Sequence, residues 1–122
     1  MRRSVSLVSV LVGVGLSAAA GAASPEGSTV EKPFTHVIVA RQIAEECVKL
    51  AAGQSIGYSF DASAPVDFNI HFHRGNDVVY PVKADQVQRR DDRFTAIIAQ
   101  DYCLMWTNAT PDGVTVKGRL RP

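Results

Sequence analysis

The sequence is short of several things at once. It has two cysteines and one tryptophan, and its 13 Lys plus Arg are set against 12 Asp plus Glu. Charge this balanced excludes the strongly basic footprint of a nucleic-acid-binding domain. Two cysteines exclude a scaffold stapled by several disulfides. There is no internal repeat, no CxxC, no phosphate-cradling glycine loop and no paired carboxylates. No apolar run reaches the roughly 20 residues that a bilayer span needs. With 122 residues the chain holds one domain and falls short of the roughly 200 that most large enzyme folds require. What is present is a globular composition, 46% hydrophobic and 20% charged, which sets it apart from disordered chains.

The first segment reads as an address. Met1-Arg2-Arg3 is a positive start, Val5 to Leu16 is apolar, and Ser17 to Ala23 is a small-residue tail in which Ala20-Gly21-Ala22 fits an A-x-A cleavage pattern. Residues 1–23 are therefore expected to be a secretory signal peptide, and the protein to be exported, periplasmic or extracellular, with no stable membrane span after cleavage. Residues 24–34, rich in Pro, Gly, Ser and charge, read as a flexible leader, and 35–122 as the folded domain. In an oxidising compartment Cys47 and Cys103 have one intramolecular pairing, and the loop they close is worth about 4 kcal/mol of chain entropy.

The body reads as strands. Val66, Phe68, Ile70 and Phe72 alternate with Asp67, Asn69, His71 and His73, one apolar face and one polar. Arg74-Gly75-Asn76-Asp77 suits a tight hairpin turn, with Val78 to Val82 as the return strand. Phe94 to Ala99 reads as a strand buried on both faces. Tyr102, Leu104 and Trp106 are expected in the core. Val114 to Leu120 reads as a one-sided outer strand after the turn Thr110-Pro111-Asp112-Gly113. Asp85 to Arg93 carries mixed charge and reads as a solvated loop. Residues 36–52 are open to two readings. Val39, Ile43, Cys47 and Leu50 have helical spacing, while Val37 to Ala40 and Cys47 to Phe60 read as strands around a Gly53-Gln54 hairpin turn. The strand signals elsewhere predict a single antiparallel all-β sandwich.

The order of short motifs resembles the GOLD (Golgi dynamics) domain, the lumenal sandwich of early-secretory cargo receptors. The resemblance rests on Glu46-Cys47, Ala52-Gly53-Gln54 followed by Tyr58 and Phe60, Val66 to Ile70, and Tyr102-Cys103 followed by Trp106 and Asn108. It implies a jelly-roll-like sandwich of seven to eight strands, a Cys47–Cys103 disulfide, and recognition of protein or lipid without catalysis. The chain stops at Pro122, without the receptors' coiled coil and transmembrane helix.

His71-Phe72-His73 is the most pointed chemical feature. Residues two apart on a strand share a face, so two imidazoles there are candidate zinc or copper ligands, with Tyr80 or Asp77 in reach across the hairpin. The ligand set is incomplete, since zinc takes four. Adding Cys103 and Met105 would complete a blue-copper set, but a disulfide sulfur offers no thiolate. Gly53-Gln54-Ser55-Ile56-Gly57 matches the hydrolase G-x-S-x-G pattern in the wrong context, since Ser55 enters a strand instead of a strand-to-helix elbow. Asn108-Ala109-Thr110 is a formal glycosylation acceptor. The expectation is an exported, non-catalytic binding or structural module that needs no cofactor and meets a protein or small ligand through the face of Asp67, Asn69, His71 and His73. The alternative is a metal-binding protein built on His71 and His73.

Overall fold

The computed structural model describes Gly15 and residues 30–122. The expected signal peptide, Gly15 apart, and the leader up to residue 29 lie outside the described residues. The described chain is all-β, with six antiparallel strands: β1 Lys32–Ile38, β2 Ile43–Leu50, β3 Ser55–Arg74, β4 Asp77–Thr95, β5 Gln100–Thr107 and β6 Val114–Arg121. Their order is β1-β6-β3-β5-β2, with β4 beside β3. No helix among the described residues is long and apolar enough to cross a membrane.

Six strands stand where seven to eight were expected because β3 and β4, of 20 and 19 residues, each turn a corner and serve two layers. The first arm of β3 pairs β6 over Gly57–Ala62, and the second pairs β5 over Asp67–His71. β4 follows β3 throughout, with register shifts around Val66. Pro65 lies at this corner, where the ladder is broken and its missing N–H costs nothing. On β4 the corner carries Gln86 at a φ of 53°, and the Asp67 carboxylate holds that turn by accepting from the Gln86 backbone N (3.0 Å) and Nε2 (2.9 Å).

The two arms fold face to face, and their inward residues make the core. Tyr58 and Phe60 of the first arm meet Phe68 of the second at ring distances of 5.4 and 5.0 Å. Trp106 of β5 packs on Phe34 and Phe60 at 5.0 and 5.5 Å. Phe68, Ile70, Phe72, Tyr102, Leu104 and Trp106 are all buried, as the period-two pattern predicts.

Each open side of the sandwich is closed by an inward-pointing charge, a device that also blunts edge strands. Where β1 faces β2, Glu46 accepts from Lys32 Nζ (3.1 Å) and pairs with His36 Nε2 (2.9 Å). Where the two arms of β4 face each other, Arg90 Nε donates to the Tyr58 hydroxyl at 2.9 Å and its guanidinium lies over Phe68. Burial pushes the Tyr58 phenol above its usual range, with Arg90 opposing the shift.

Several expectations are corrected. Residues 36–52, open to a helix or to strands by sequence, hold the end of β1, a turn and β2. β1 begins at Lys32, so the last three residues read as leader are strand, and Phe34 is core. The turn at Gly53 joins β2 to β3 without pairing them, because β2 pairs β5. Asp85–Arg93 is strand, not loop: Arg89, Asp91 and Arg93 pair with Asp61, Ser59 and Gly57 along an edge where alternating charge is solvated. β4 ends at Thr95, and Ile97 and Ile98 sit in a loop, 89% and 42% exposed, instead of in a strand buried on both faces. β6 lies inside the sheet, between β1 and β3.

Asn108, read as a glycosylation acceptor, is fully buried. Its Nδ2 donates to the carbonyls of Ile38 (3.0 Å) and Asp112 (2.7 Å), and its Oδ1 accepts from the Thr110 backbone N (3.0 Å) and hydroxyl (2.7 Å). The side chain thus ties the end of β1 to the loop before β6. Asn108→Ala strands the buried Ile38 carbonyl, removes the other bonds that tie this loop, and is expected to cost about 3 kcal/mol, read as a fall in thermal midpoint. Asn108→Asp is expected to cost at least as much, since a carboxylate cannot donate to either carbonyl.

Candidate functional site

The nominated residues Asp67, Asn69, His71 and His73 do share one face of β3, the outer face of the β2–β5–β3–β4 layer. Register assembles that face into rows. Cys47 of β2 is opposite Cys103 of β5, which is opposite His71 of β3, and the Tyr80 ring of β4 lies 5.8 Å beyond His71. The row beside it runs Glu45, Met105, Asn69 and Lys83. Cys47 and Cys103 are bonded, with Cα atoms 4.0 Å apart, so the disulfide lies on the surface of one layer and pins β2 to β5.

The four nominated side chains have different roles. The Asp67 carboxylate is committed to the corner of β4. Asn69 and His71 are buried, 8% and 4% exposed, where an open face was expected. The disulfide, Tyr80 and His73 crowd the imidazole from three sides. His73 alone of the four is exposed. Tyr80, 44% exposed with Lys83 Nζ 5.2 Å from its ring centre, forms the raised part of the face.

Asn69 Oδ1 lies 2.8 Å from His71 Nδ1. An amide oxygen only accepts, so Nδ1 carries the proton and Nε2 is left basic, 3.5 Å from the Glu45 carboxylate. Burial holds His71 below the usual imidazole range, Glu45 opposes that, and His73 adds to the lowering. A folded-state value below the unfolded 6.5 means stability that is complete above pH 6.5 and lost as pH falls through the folded-state value. The wild type is therefore expected to lose more melting temperature between pH 7 and pH 5 than His71→Gln, which keeps a polar side chain but does not titrate. Equal losses would remove His71 from the acid response.

Of the two histidines expected as metal ligands, His71 is buried and His73 is exposed. Their rings meet edge to face at 5.3 Å, and the partner beside His71 Nε2 is Glu45, which the sequence pattern did not nominate. Among the described residues the group of three potential ligands within mutual reach is Glu45 with Cys47 and Cys103, whose sulfurs are spent in the disulfide. The same bond removes Cys103 from any blue-copper set. Ser55 Oγ is 2.6 Å from the Thr95 hydroxyl at the start of β3, on a strand and not on an elbow. Tyr80 was in view as a residue across the hairpin. Glu45 and Lys83 were not, because only the β2–β5 and β3–β4 registers bring them to His71 and Asn69.

No protein-family model matches the chain. No curated protein matches it significantly in sequence. Its fold is similar to that of two solved structures. One is PliG from Aeromonas hydrophila, a periplasmic lysozyme inhibitor of g-type lysozyme, at a TM-score of 0.56 and 14% identity, covering 77% of this chain and 87% of that one. The other is the Yersinia pseudotuberculosis-derived mitogen YPM, at a TM-score of 0.54 and 9% identity, covering 76% of this chain and 86% of that one. At such identities the likeness is one of fold.

Proposed function

We propose that the protein is an exported, non-catalytic module that binds another protein through the outer face of the β2–β5–β3–β4 layer. The observation that carries this reading is Tyr80 standing on the row Cys47, Cys103 and His71, with His73 and Lys83 beside it. An exposed tyrosine on a pinned sheet presents a large amphipathic surface at little entropic cost, the character of an interface anchor. Asn69 and Glu45 hold the imidazole beneath it. The disulfide suits an oxidising compartment outside the cytoplasm. The resemblance to the GOLD domain implies the same class of activity, recognition without catalysis.

A g-type lysozyme, the target of the similar inhibitor from Aeromonas hydrophila, is the first partner to test, and exported proteins of the producing cell are the second. Wild type and Tyr80→Ser would be immobilised in parallel. A partner retained by the wild type is expected to bind Tyr80→Ser about thirtyfold more weakly, the scale of an interface hot spot, with cooperative melting well above the assay temperature showing that the variant is folded. Equal retention on both columns sinks the face as the binding surface.

A further inference from the structure

The folded-over hairpin leaves an open end, where the β3–β4 tip approaches the far ends of the same two strands. A cavity of about 290 Å³ lies there. Phe72, Val79 and Pro81 line it from one arm, Phe94 from the other, Ile98 from the loop after β4, and Tyr102 forms its floor. The one hydroxyl of an aliphatic side chain at its wall, on Thr95, is engaged by Ser55. The loop that forms its lip is held in place. Ala96 exchanges backbone hydrogen bonds with Gly53 (2.7 Å) and Gln54 (2.9 Å), and the Tyr102 hydroxyl donates to the Ile98 carbonyl at 2.7 Å. Ile97 and Ile98 are thus presented at 89% and 42% exposure by an anchored loop, a large apolar exposure for a small domain.

A cation lies against one of the lining residues. The Arg74 guanidinium lies 5.8 Å from the centre of the Phe72 ring. Arg74 faces Asp77 in the turn register, but among the described residues no carboxylate stands within ion-pair distance of it. A guanidinium at the mouth of an apolar groove complements a carboxylate whose body is hydrocarbon.

We propose that this end of the sandwich binds a free single-chain carboxylic acid, with the chain between Phe72, Val79, Phe94 and Ile98 and the carboxylate on Arg74. The volume is at the low end of ligand cavities, about 300–1,000 Å³, which suits a slim chain and not a helix or a ring system. The site stands apart from the sheet face described above. Phe72 and Val79 are an inward-facing pair, while His73 and Val78 turn outward.

The test is calorimetric titration of the purified protein with octanoate, decanoate and 1-decanol, each below its micelle concentration or solubility limit. Saturable one-to-one binding of decanoate is expected. Octanoate should bind about fifteenfold more weakly, for two methylenes less. Arg74→Gln should weaken decanoate about tenfold and leave decanol unchanged, since it removes one charge-assisted contact. Ile98→Asp should abolish both, and Ile97→Asp should weaken both. All three side chains are at the surface, and an unchanged melting curve certifies each variant. The absence of saturable decanoate binding overturns the proposal, as does decanoate binding that Ile98→Asp leaves intact. Insertion of the Ile97–Ile98 loop into phosphatidylcholine vesicles without binding of free decanoate also overturns it, and makes the loop a membrane contact instead.

Discussion

Gly118→Ala is expected to cost about 3 kcal/mol or more, the upper range for forcing atoms into a packed interior. Gly118 is on β6, between Phe34 of β1 and Phe60 of β3. A methyl there would stand well inside contact distance of the Ser59 carbonyl oxygen and of Phe34 Cζ. The phenyl ring can turn, but the carbonyl belongs to the β3 backbone, and it moves only if β6 and β3 part. That separation would break the ladder over Gly57–Ala62 that holds the first layer together. Against a total stability of about 5–15 kcal/mol the loss is large, and a fall in melting temperature of roughly 15 °C is the measurement. A fall of one or two degrees would mean that the strands yield more easily than the packing indicates. Gly57→Ala is the contrasting case. Its Cβ would meet the Arg121 side chain, which is free to move aside, so the cost should be small.

Much of the sandwich was legible where burial is one-sided. Val66 to Phe72 and Tyr102 to Trp106 bury alternate residues, and a period of two is visible without knowledge of neighbours. The hairpin at Gly75 was legible for a backbone reason, since its φ of 59° favours glycine at the first central position of a two-residue turn. The stretch 36–52 was not. Glu46 and His36 point inward, where a pattern reader expects apolar residues, because they pair with each other across the gap between β1 and β2. With a charge on the inner face, β2 loses its alternation and helical spacing fits as well. The corner of β3 was hidden for a different reason. The inward set continues through Phe60, Ala62, Val66 and Phe68 without a break in phase, so the apolar alternation does not mark the switch of partner from β6 to β5, and Pro65 signals only a gap in the ladder. The candidate site was half legible for the same cause. That Asn69 and His71 share a side follows from spacing. That they are covered depends on Tyr80, Cys103 and Glu45, which only strand register brings there.

Replacing both cysteines by serine is expected to cost about 4 kcal/mol, from the loop that joins positions 56 residues apart. The melting temperature should fall by roughly 20 °C. The loss should be local before it is global. β2 is an edge strand with hydrogen bonds to β5 alone, and its other tie is the Glu46 bridge to Lys32 and His36. Amide exchange in β2 should therefore accelerate ahead of exchange in β3, whose two arms are each paired on both sides. The same variant should loosen the cover over His71, since Cys103 is its neighbour in the row. With less burial the imidazole moves back toward its unfolded value, and the part of the acid response that His71→Gln removes should shrink in the serine variant too. Both effects together would show that the disulfide shapes the proposed binding face as well as holding the edge of the sheet. An unchanged melting temperature and unchanged β2 exchange would show instead that the β2–β5 ladder holds that edge by itself.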